Sequence, residues 1–524
     1  MVKFSSHQKV QFSGTMHLKL QSSIAAIVKG CNVLEGALLL RNPTLLTKKF
    51  KYFKRRECIM KLYKKKKLLF AVLTMVLSCS LGTADAAVLY NPEPPGSVMA
   101  ETGETSFIVT ELVIKGNKNH SEEEIKYLVP EATRPLVRPG QLSRQLSLLN
   151  DGQVMKIESA FTPIADQEYR LTLFVEEVKN DKFAISFNNT GNKYSGDYRL
   201  ALSWLNTDIT KNGDALGIAY TTSPDEHFSD VKQVGLTYKT IFPNSGDSMF
   251  FAYSYSDVDM GEIAAFPGTG VSLEATGKGH TVSLHYQRNL LFRRARRQIL
   301  DFGFDYKKYD NAQNWRGMAG PDGDTNYDVG TFSTTYYDVT RNDNDAFSWN
   351  VGWTTNLIGN STDYDKVRLG SEKSFHIFRV GTGYQYTTKN DWIFGLSAGA
   401  QWTPNDLVQS EQFGAGGLGS VRGFKERVAT GDNGVGGSFE IYTPKFIPDS
   451  RFVVFLDWAW LSNNTINPGE RGNRHISSFG IGYRLGSDKL GLYASIDYAH
   501  PMSYGGLDNG NSIRPWTFTL TKTF

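Results

Sequence analysis

The sequence predicts a transmembrane β-barrel of about sixteen antiparallel strands, preceded by a small α+β module outside the lipid. Three observations predict it. From residue 180 to the C-terminus, large apolar side chains alternate with small polar ones at period two. The chain is 13% aromatic and holds 50 glycines, yet its mean hydropathy is −0.34. The longest uncharged apolar run, Leu68 to Gly82, spans 15 residues, short of the ~20 that a spanning helix needs. A polytopic helical membrane protein is thereby excluded, and a barrel, whose strands are apolar on one face only, is not.

The N-terminal region carries the charge anomaly. The formal net charge is +4 over 524 residues, but residues 1–67 contain 16 Lys/Arg against 2 Asp/Glu. From Ala87 onward there are 41 Lys/Arg and 50 Asp/Glu, so the body is acidic and a nucleic-acid partner is not indicated. Met60, the lysines 64–67, the apolar stretch Leu68–Leu77 and Ala84-Asp85-Ala86 have the three parts of an export signal. The expected division is an upstream extension at 1–59, an export signal at 60–86 and a proline-bearing linker at 87–104. All three cysteines (Cys31, Cys58, Cys79) precede residue 87, so disulfides and thiolate metal sites are excluded from the body.

Residues 105–179 read as a β-α-α-β-β module. Phe107 to Ile114 is rich in β-branched residues and closes on Lys115-Gly116-Asn117. Ser121 can cap a short helix whose first turn, Glu122-Glu123-Glu124, suits the helix dipole. Leu142, Leu146 and Leu149 recur at helical spacing before Gly152. Two strands follow, Lys156–Ile164 and Tyr169–Val178. This order, with Ile114-Lys115-Gly116-Asn117 after the first strand and Leu142 to Asn150 on the second helix, resembles a polypeptide-transport-associated (POTRA) domain. The resemblance implies a periplasmic module that catches an unfolded client, by adding the client's extended chain to a sheet edge.

The barrel is read over 180–524. Phe251, Tyr253 and Tyr255 alternate with Ala252, Ser254 and Ser256. Trp516, Phe518, Leu520 and Phe524 alternate with Thr517, Thr519, Thr521 and Thr523. An apolar outer face over a Ser/Thr/Asn-lined lumen places lipid outside. Strands are expected to begin near residues 183, 196, 212, 230, 247, 276, 296, 325, 344, 370, 391, 434, 451, 474, 489 and 515. An even number brings both termini to one side.

Between Trp402 and Gly434 the strand pattern lapses, leaving a long loop over 403–433. Its glycines at 414, 416 and 419 formally match G-x-G-x-x-G, but no β-α-β unit surrounds them, so a dinucleotide site is not indicated. They allow the backbone a tight, re-entrant course. Val421-Arg422-Gly423-Phe424 follows, and it resembles the VRG(F/Y) motif of the outer-membrane assembly and secretion superfamily. The resemblance implies a loop folded back into the lumen, its arginine meeting an acidic residue of the wall. Period two places bulky residues at the even positions of Phe452–Trp460, so Asp457 faces inward; on the preceding strand Glu440 does too. Phe455-Leu456-Asp457-Trp458-Ala459 resembles the superfamily's F-x-D-x-G, with alanine where glycine is usual. A latch between Arg422 and these carboxylates would be charge-assisted and bidentate, and in a wet lumen only moderately stable.

The opening barrel segment, Ile185 to Gly191 and Gly196 to Arg199, is similar to the start of TpsB transporters of two-partner secretion, the ShlB/FhaC/HecB hemolysin secretion/activation family. That resemblance implies an outer-membrane transporter for a large hemolysin- or adhesin-type exoprotein, working without nucleotide, cofactor or small-molecule substrate. Phe518, Leu520 and Phe524 resemble the terminal signal read by the barrel-assembly machinery. The alternative reading is an assembly factor of the same superfamily. No Walker motif, nucleophile elbow or metal-spaced histidine cluster indicates an enzyme. Two departures from the pattern stand out: one POTRA-like module where the family usually has two, and, where many members carry a helix that plugs the barrel, only a short stretch from Ala87 to the first POTRA strand that a proline cluster interrupts.

Overall fold

A computed structural model describes residues 106–524, apart from 192–194, 226–227, 267–270, 293–294, 317–322, 469, 509 and 511. The expected extension, export signal and linker lie outside the described residues. The N-terminal module runs β1 (Phe107–Lys115), α1 (Glu122–Leu128), a 3-10 turn (Pro130–Thr133), β2 (Leu136–Val137), α2 (Pro139–Asp151), β3 (Met155–Ala165) and β4 (Glu168–Glu177). Its sheet order is β2-β1-β4-β3, with β1 parallel to β4 and the other pairs antiparallel. Ser121 and Glu124 form a reciprocal capping box at the start of α1, satisfying two donors that a helix end leaves open. Leu142, Leu146 and Leu149 on α2 bury against Leu171 and Leu173 of β4, together with Ile125 and Leu128 of α1. The 3-10 turn and β2 were not anticipated, because pieces this short carry no periodicity.

Sixteen long antiparallel strands close into a barrel. The first eight are β5 (Asp181–Asn188), β6 (Arg199–Asn206), β7 (Ala215–Thr222), β8 (Val231–Phe242), β9 (Asp247–Phe266), β10 (Val271–Phe292), β11 (Arg296–Arg316) and, after a two-residue β12 (Gly323–Asp324), β13 (Tyr327–Arg341). Next come β14 (Asp345–Ile358), a short helix α3 (Ser361–Val367), β15 (His376–Thr387) and β16 (Ile393–Trp402). Inside the following loop lie the fragments β17 (Phe413–Ala415), β18 (Gly423–Phe424) and β19 (Ala429–Gly431). The wall resumes with β20 (Asn433–Tyr442), β21 (Ser450–Ser462), β22 (Asn473–Ser487) and β23 (Leu492–Tyr504). A fragment, β24 (Ile513–Arg514), precedes the last strand, β25 (Trp516–Thr523), which pairs with β5 from Thr519↔Asn188 to Thr523↔Ala184 and closes the cylinder. β9, β10 and β11 have 20, 22 and 21 residues. A tilted span takes ~9–11, so these three continue well past the lipid.

Alternation sets the faces. On β21, Phe452, Val454, Leu456 and Trp460 point outward, while Val453, Phe455, Asp457 and Ala459 are buried inside. The expectation of a uniformly polar, wet lumen needs correction here. This sector of the inner wall is apolar, because a folded loop packs on it.

The module sits against the turns at one end of the barrel. His120 bridges the two parts: its Nε2 lies 2.6 Å from Asp208 Oδ2, in the β6–β7 turn, and its Nδ1 3.3 Å from Glu177 Oε1. Arg144 donates to the carbonyl of Asn289 at 2.8 Å, Gln145 to that of Pro243 at 3.2 Å, and Ile241 packs on the module's core. Polar and apolar contacts thus join the two parts along β6–β11.

Candidate functional site

The connection between β16 and β20 is the longest loop of the barrel among the described residues, and it turns back into the lumen. Two features of its backbone need glycine. Gly416 has φ +105°, and a Cβ there would meet the Lys425 carbonyl oxygen at 2.6 Å. Gly423 has φ +90°, and its Cβ would lie 3.0 Å from that of Ala499 on β23. L-residues avoid this left-handed region, so glycine at both positions permits the reversal and the close approach to the wall.

The loop is more ordered than its sequence implied. β17 and β19 pair as a small hairpin, and β18 pairs with β24 in the connection before the last strand. Phe413, Val421 and Phe424 from the loop bury with Ala459, Leu461 and Ile476 of the wall in one apolar cluster. Removal of these side chains from water holds the loop in place as surely as any charge does.

Arg422 lies at the centre of this packing, itself 5% exposed, against a fully buried Asp457. Its Nε donates to Asp457 Oδ2 at 2.7 Å and its Nη2 to Oδ1 at 2.8 Å, while the Arg422 backbone N–H adds a bond to Oδ2 at 3.1 Å. Nη1 lies 2.8 Å from Glu440 Oε1. Ser438, register partner of Asp457 across β20–β21, accepts from Nη2 at 3.1 Å and donates to Asp457 Oδ1 at 2.6 Å. The guanidinium also lies over the Phe455 ring, 3.5 Å from its centroid. The four residues Ser438, Glu440, Phe455 and Asp457 share the lumen face because they alternate at period two on adjacent strands.

The structure therefore brings Arg422, Asp457 and Glu440 together. Val421 and Phe424 serve as the apolar anchors on either side, and Gly423 as the bend. Ser438 was not anticipated, and Phe455 entered only through the F-x-D-x-G resemblance; both were visible as inward-facing register neighbours of the two carboxylates. The ion pair is buried rather than wet. Burial makes its geometry demanding, and losing one partner costs ~3–5 kcal/mol where a buried charge is left alone. Such a fastening holds until other contacts replace it.

Phe518, Leu520 and Phe524 lie apart from this loop. Leu520 and Phe524 point outward from the closing seam, the Phe518 ring lies tilted against Phe187 with centroids 5.5 Å apart, and the Phe524 N–H donates to the Phe183 carbonyl at 2.9 Å.

Comparison with known proteins follows the same lines. The model of a family described as "Haemolysin secretion/activation protein ShlB/FhaC/HecB" matches residues 168–485. The heme/hemopexin transporter protein HuxB of Haemophilus influenzae is 22% identical over 375 residues, which are 68% of this chain and 62% of HuxB. The chain thus spans somewhat under two thirds of that relative's length. Among solved structures, CdiB from Escherichia coli superposes with a TM-score of 0.67 at 18% identity, covering 80% of this chain and 76% of CdiB. BamA from Haemophilus ducreyi lacking POTRA domains 1–3 gives 0.51 at 17% identity, covering 80% and 85%. Both likenesses concern the fold. With the closed barrel, these matches assign the chain to the bacterial outer membrane.

Proposed function

The chain belongs to the ShlB/FhaC/HecB haemolysin secretion/activation family, and from that premise we propose that it is the outer-membrane transporter of a two-partner secretion pair. Its client is a large exoprotein of hemolysin or adhesin type. The client is caught unfolded at the periplasmic module and passes through the barrel without nucleotide. The observation that carries this reading is the re-entrant loop, which occupies the lumen and is held there by noncovalent contacts alone. A lumen built only to be closed gains nothing from a fastening of one arginine and a small apolar cluster.

The module supports the first step. β3 forms an edge of its sheet, pairing with β4, and an edge strand offers backbone N–H and C=O groups to an extended chain of almost any sequence. Because the module is joined to the periplasmic turns, a chain added there is held near the mouth. Translocation then draws on the client, whose folding outside biases its movement. A client whose exported part cannot fold is expected to leave more slowly, and export at the normal rate would remove that energy source.

The likeness in fold to BamA gives the competing reading, insertion of other barrels into the membrane. A strain lacking this chain separates the two. Loss of one large secreted protein from the culture supernatant, with the other outer-membrane proteins at their usual levels, supports the transporter. General loss of outer-membrane proteins would replace it with the assembly factor.

A further inference from the structure

A second buried arginine lies at the opposite end of the same loop. Arg368 follows α3 in the extracellular connection between β14 and β15, and it is 7% exposed. Helix α3 is firmly docked. Tyr364 is fully buried among Val329 and Ile377 of the wall and Leu407 of the re-entrant loop, and its hydroxyl donates to the Asp328 carbonyl at 2.8 Å. That docking delivers the Arg368 guanidinium to the neck of the loop, where its two legs leave and rejoin the barrel.

There the guanidinium gathers three extracellular connections. Its Nη1 donates to the Leu407 carbonyl on the outgoing leg, at 2.9 Å, and to Asp432 Oδ1 on the returning leg, at 2.9 Å. Nη2 donates to Asp432 Oδ2 at 3.1 Å and to the Thr465 carbonyl at 3.2 Å. Nε donates to Glu470 Oε1 at 2.8 Å; Thr465 and Glu470 belong to the connection between β21 and β22. Asp432 is fully buried and also accepts the backbone N–H groups of Leu407 and Asn464, at 3.0 and 2.9 Å. One planar cation thus bonds two carboxylates from different connections and bridges both legs, a task suited to a guanidinium fork and not to an ammonium.

We propose that Arg368 is a positioning residue that clasps the neck of the re-entrant loop, a fastening separate from the one Arg422 makes at the tip. The tip contacts hold the loop against the wall; the neck clasp holds its two legs together and ties them to the neighbouring connections. Release of the loop then requires both. Without Arg368 the two carboxylates lose the cation they share, Asp432 keeping only neutral donors such as the N–H groups of Leu407 and Asn464, and their repulsion loosens the neck from the outside. The inference rests on the loop being the gate, as proposed above, but its test uses the full chain without a client, so its failure and that of the transport reading are distinguishable.

The test is the accessibility of the loop from outside. Intact cells carrying wild type or Arg368→Ala are treated with trypsin, and cleavage within 403–432, which contains Lys425 and Arg427, is measured per folded barrel. Conductance of the purified full chains in planar bilayers is measured in parallel. Arg368→Ala is expected to raise both cleavage and open time roughly tenfold or more, the scale of losing a charge-assisted bond. Arg368→Lys is expected to fall between, since an ammonium lacks the fork. Lower barrel yield with unchanged cleavage per barrel would mean a purely structural role and overturn the proposal, as would wild-type behaviour in both assays. Should Arg368→Ala be absent from the membrane, Glu470→Gln takes its place. A smaller rise is expected there, and no rise overturns the clasp.

Discussion

Removing either member of the Arg422–Asp457 pair should reduce secretion without preventing barrel assembly, and the size of the effect follows from the geometry. Asp457 is fully buried and accepts from Arg422 Nε, Nη2 and backbone N–H and from Ser438 Oγ. In Arg422→Ala, two charge-assisted bonds to Asp457 and the one to Glu440 vanish, and the buried Asp457 carboxylate keeps only the backbone N–H and the serine. Buried pairs broken in this way lose ~3–5 kcal/mol. In Asp457→Ala the arginine retains Glu440, whose side chain is 24% exposed, and Ser438, so the loss falls toward ~3 kcal/mol, the lower end of that range. At 1.4 kcal/mol per factor of ten, either change shifts the docked loop's population by over ~100-fold. The double variant should lose less than the sum of the singles, by ~2–3 kcal/mol, because each single strands its partner. The assay is client protein in the supernatant, normalised to heat-modifiable barrel in the membrane, with open fraction in planar bilayers supplying the free energies. Normal secretion by both single variants would refute the reasoning, as would additivity of the two changes to within ~0.5 kcal/mol.

Three further outcomes are expected. Deleting Phe524 removes the N–H that bonds the Phe183 carbonyl across the closing seam, so membrane levels of the barrel should fall while secretion per barrel stays constant; immunoblots of outer membranes check this. Gly423→Ala forces an L-residue to φ +90° against Ala499 and should cost about 1–2 kcal/mol of loop docking, lowering secretion, whereas Gly419→Ala, where an added Cβ meets nothing within 4 Å, should be silent in the same supernatant assay. Glu177 titrates in the periplasmic module: burial pushes its carboxyl up, but the N–H groups of His120, Lys118 and Asn119 outweigh it and hold it at about 2. A depressed carboxylate stabilises the fold above its unfolded value and loses that stabilisation as pH falls, here from about 4.5 toward 2. The module's thermal midpoint should therefore drop over that window, and Glu177→Gln should flatten the dependence.

Much of this architecture was legible because period two is a strong signal over long strands. The expected strand starts at 247 and 296 coincide with β9 and β11, and the weakest, near 370, precedes β15 at His376 by six residues. Residues 370–375 belong to the connection that follows α3, a helix of 7 residues too short to show a helical period. Asp457 and Glu440 were found by alternation, and Arg422 by its motif. The loop's own core was not found, since Phe413, Val421 and Phe424 follow no period. One signal was available: β21 is apolar on both faces from Phe452 to Trp460 except at Asp457, the pattern of a strand covered on both sides. The neck escaped notice for another reason, because Arg368 meets Asp432 64 residues and Glu470 102 residues farther along the chain, and no local pattern announces such a meeting.

The central claim is that the loop leaves its place in the lumen when a client passes. With Cys31, Cys58 and Cys79 replaced by serine, Val421→Cys, buried at rest beside Arg422, is the single thiol and reports on that movement when a membrane-impermeant maleimide is added to intact cells. Labelling should be slow without a client, and several-fold faster while the client is being exported or when Arg422 is replaced by alanine. Equal labelling rates with and without an exporting client would contradict the account.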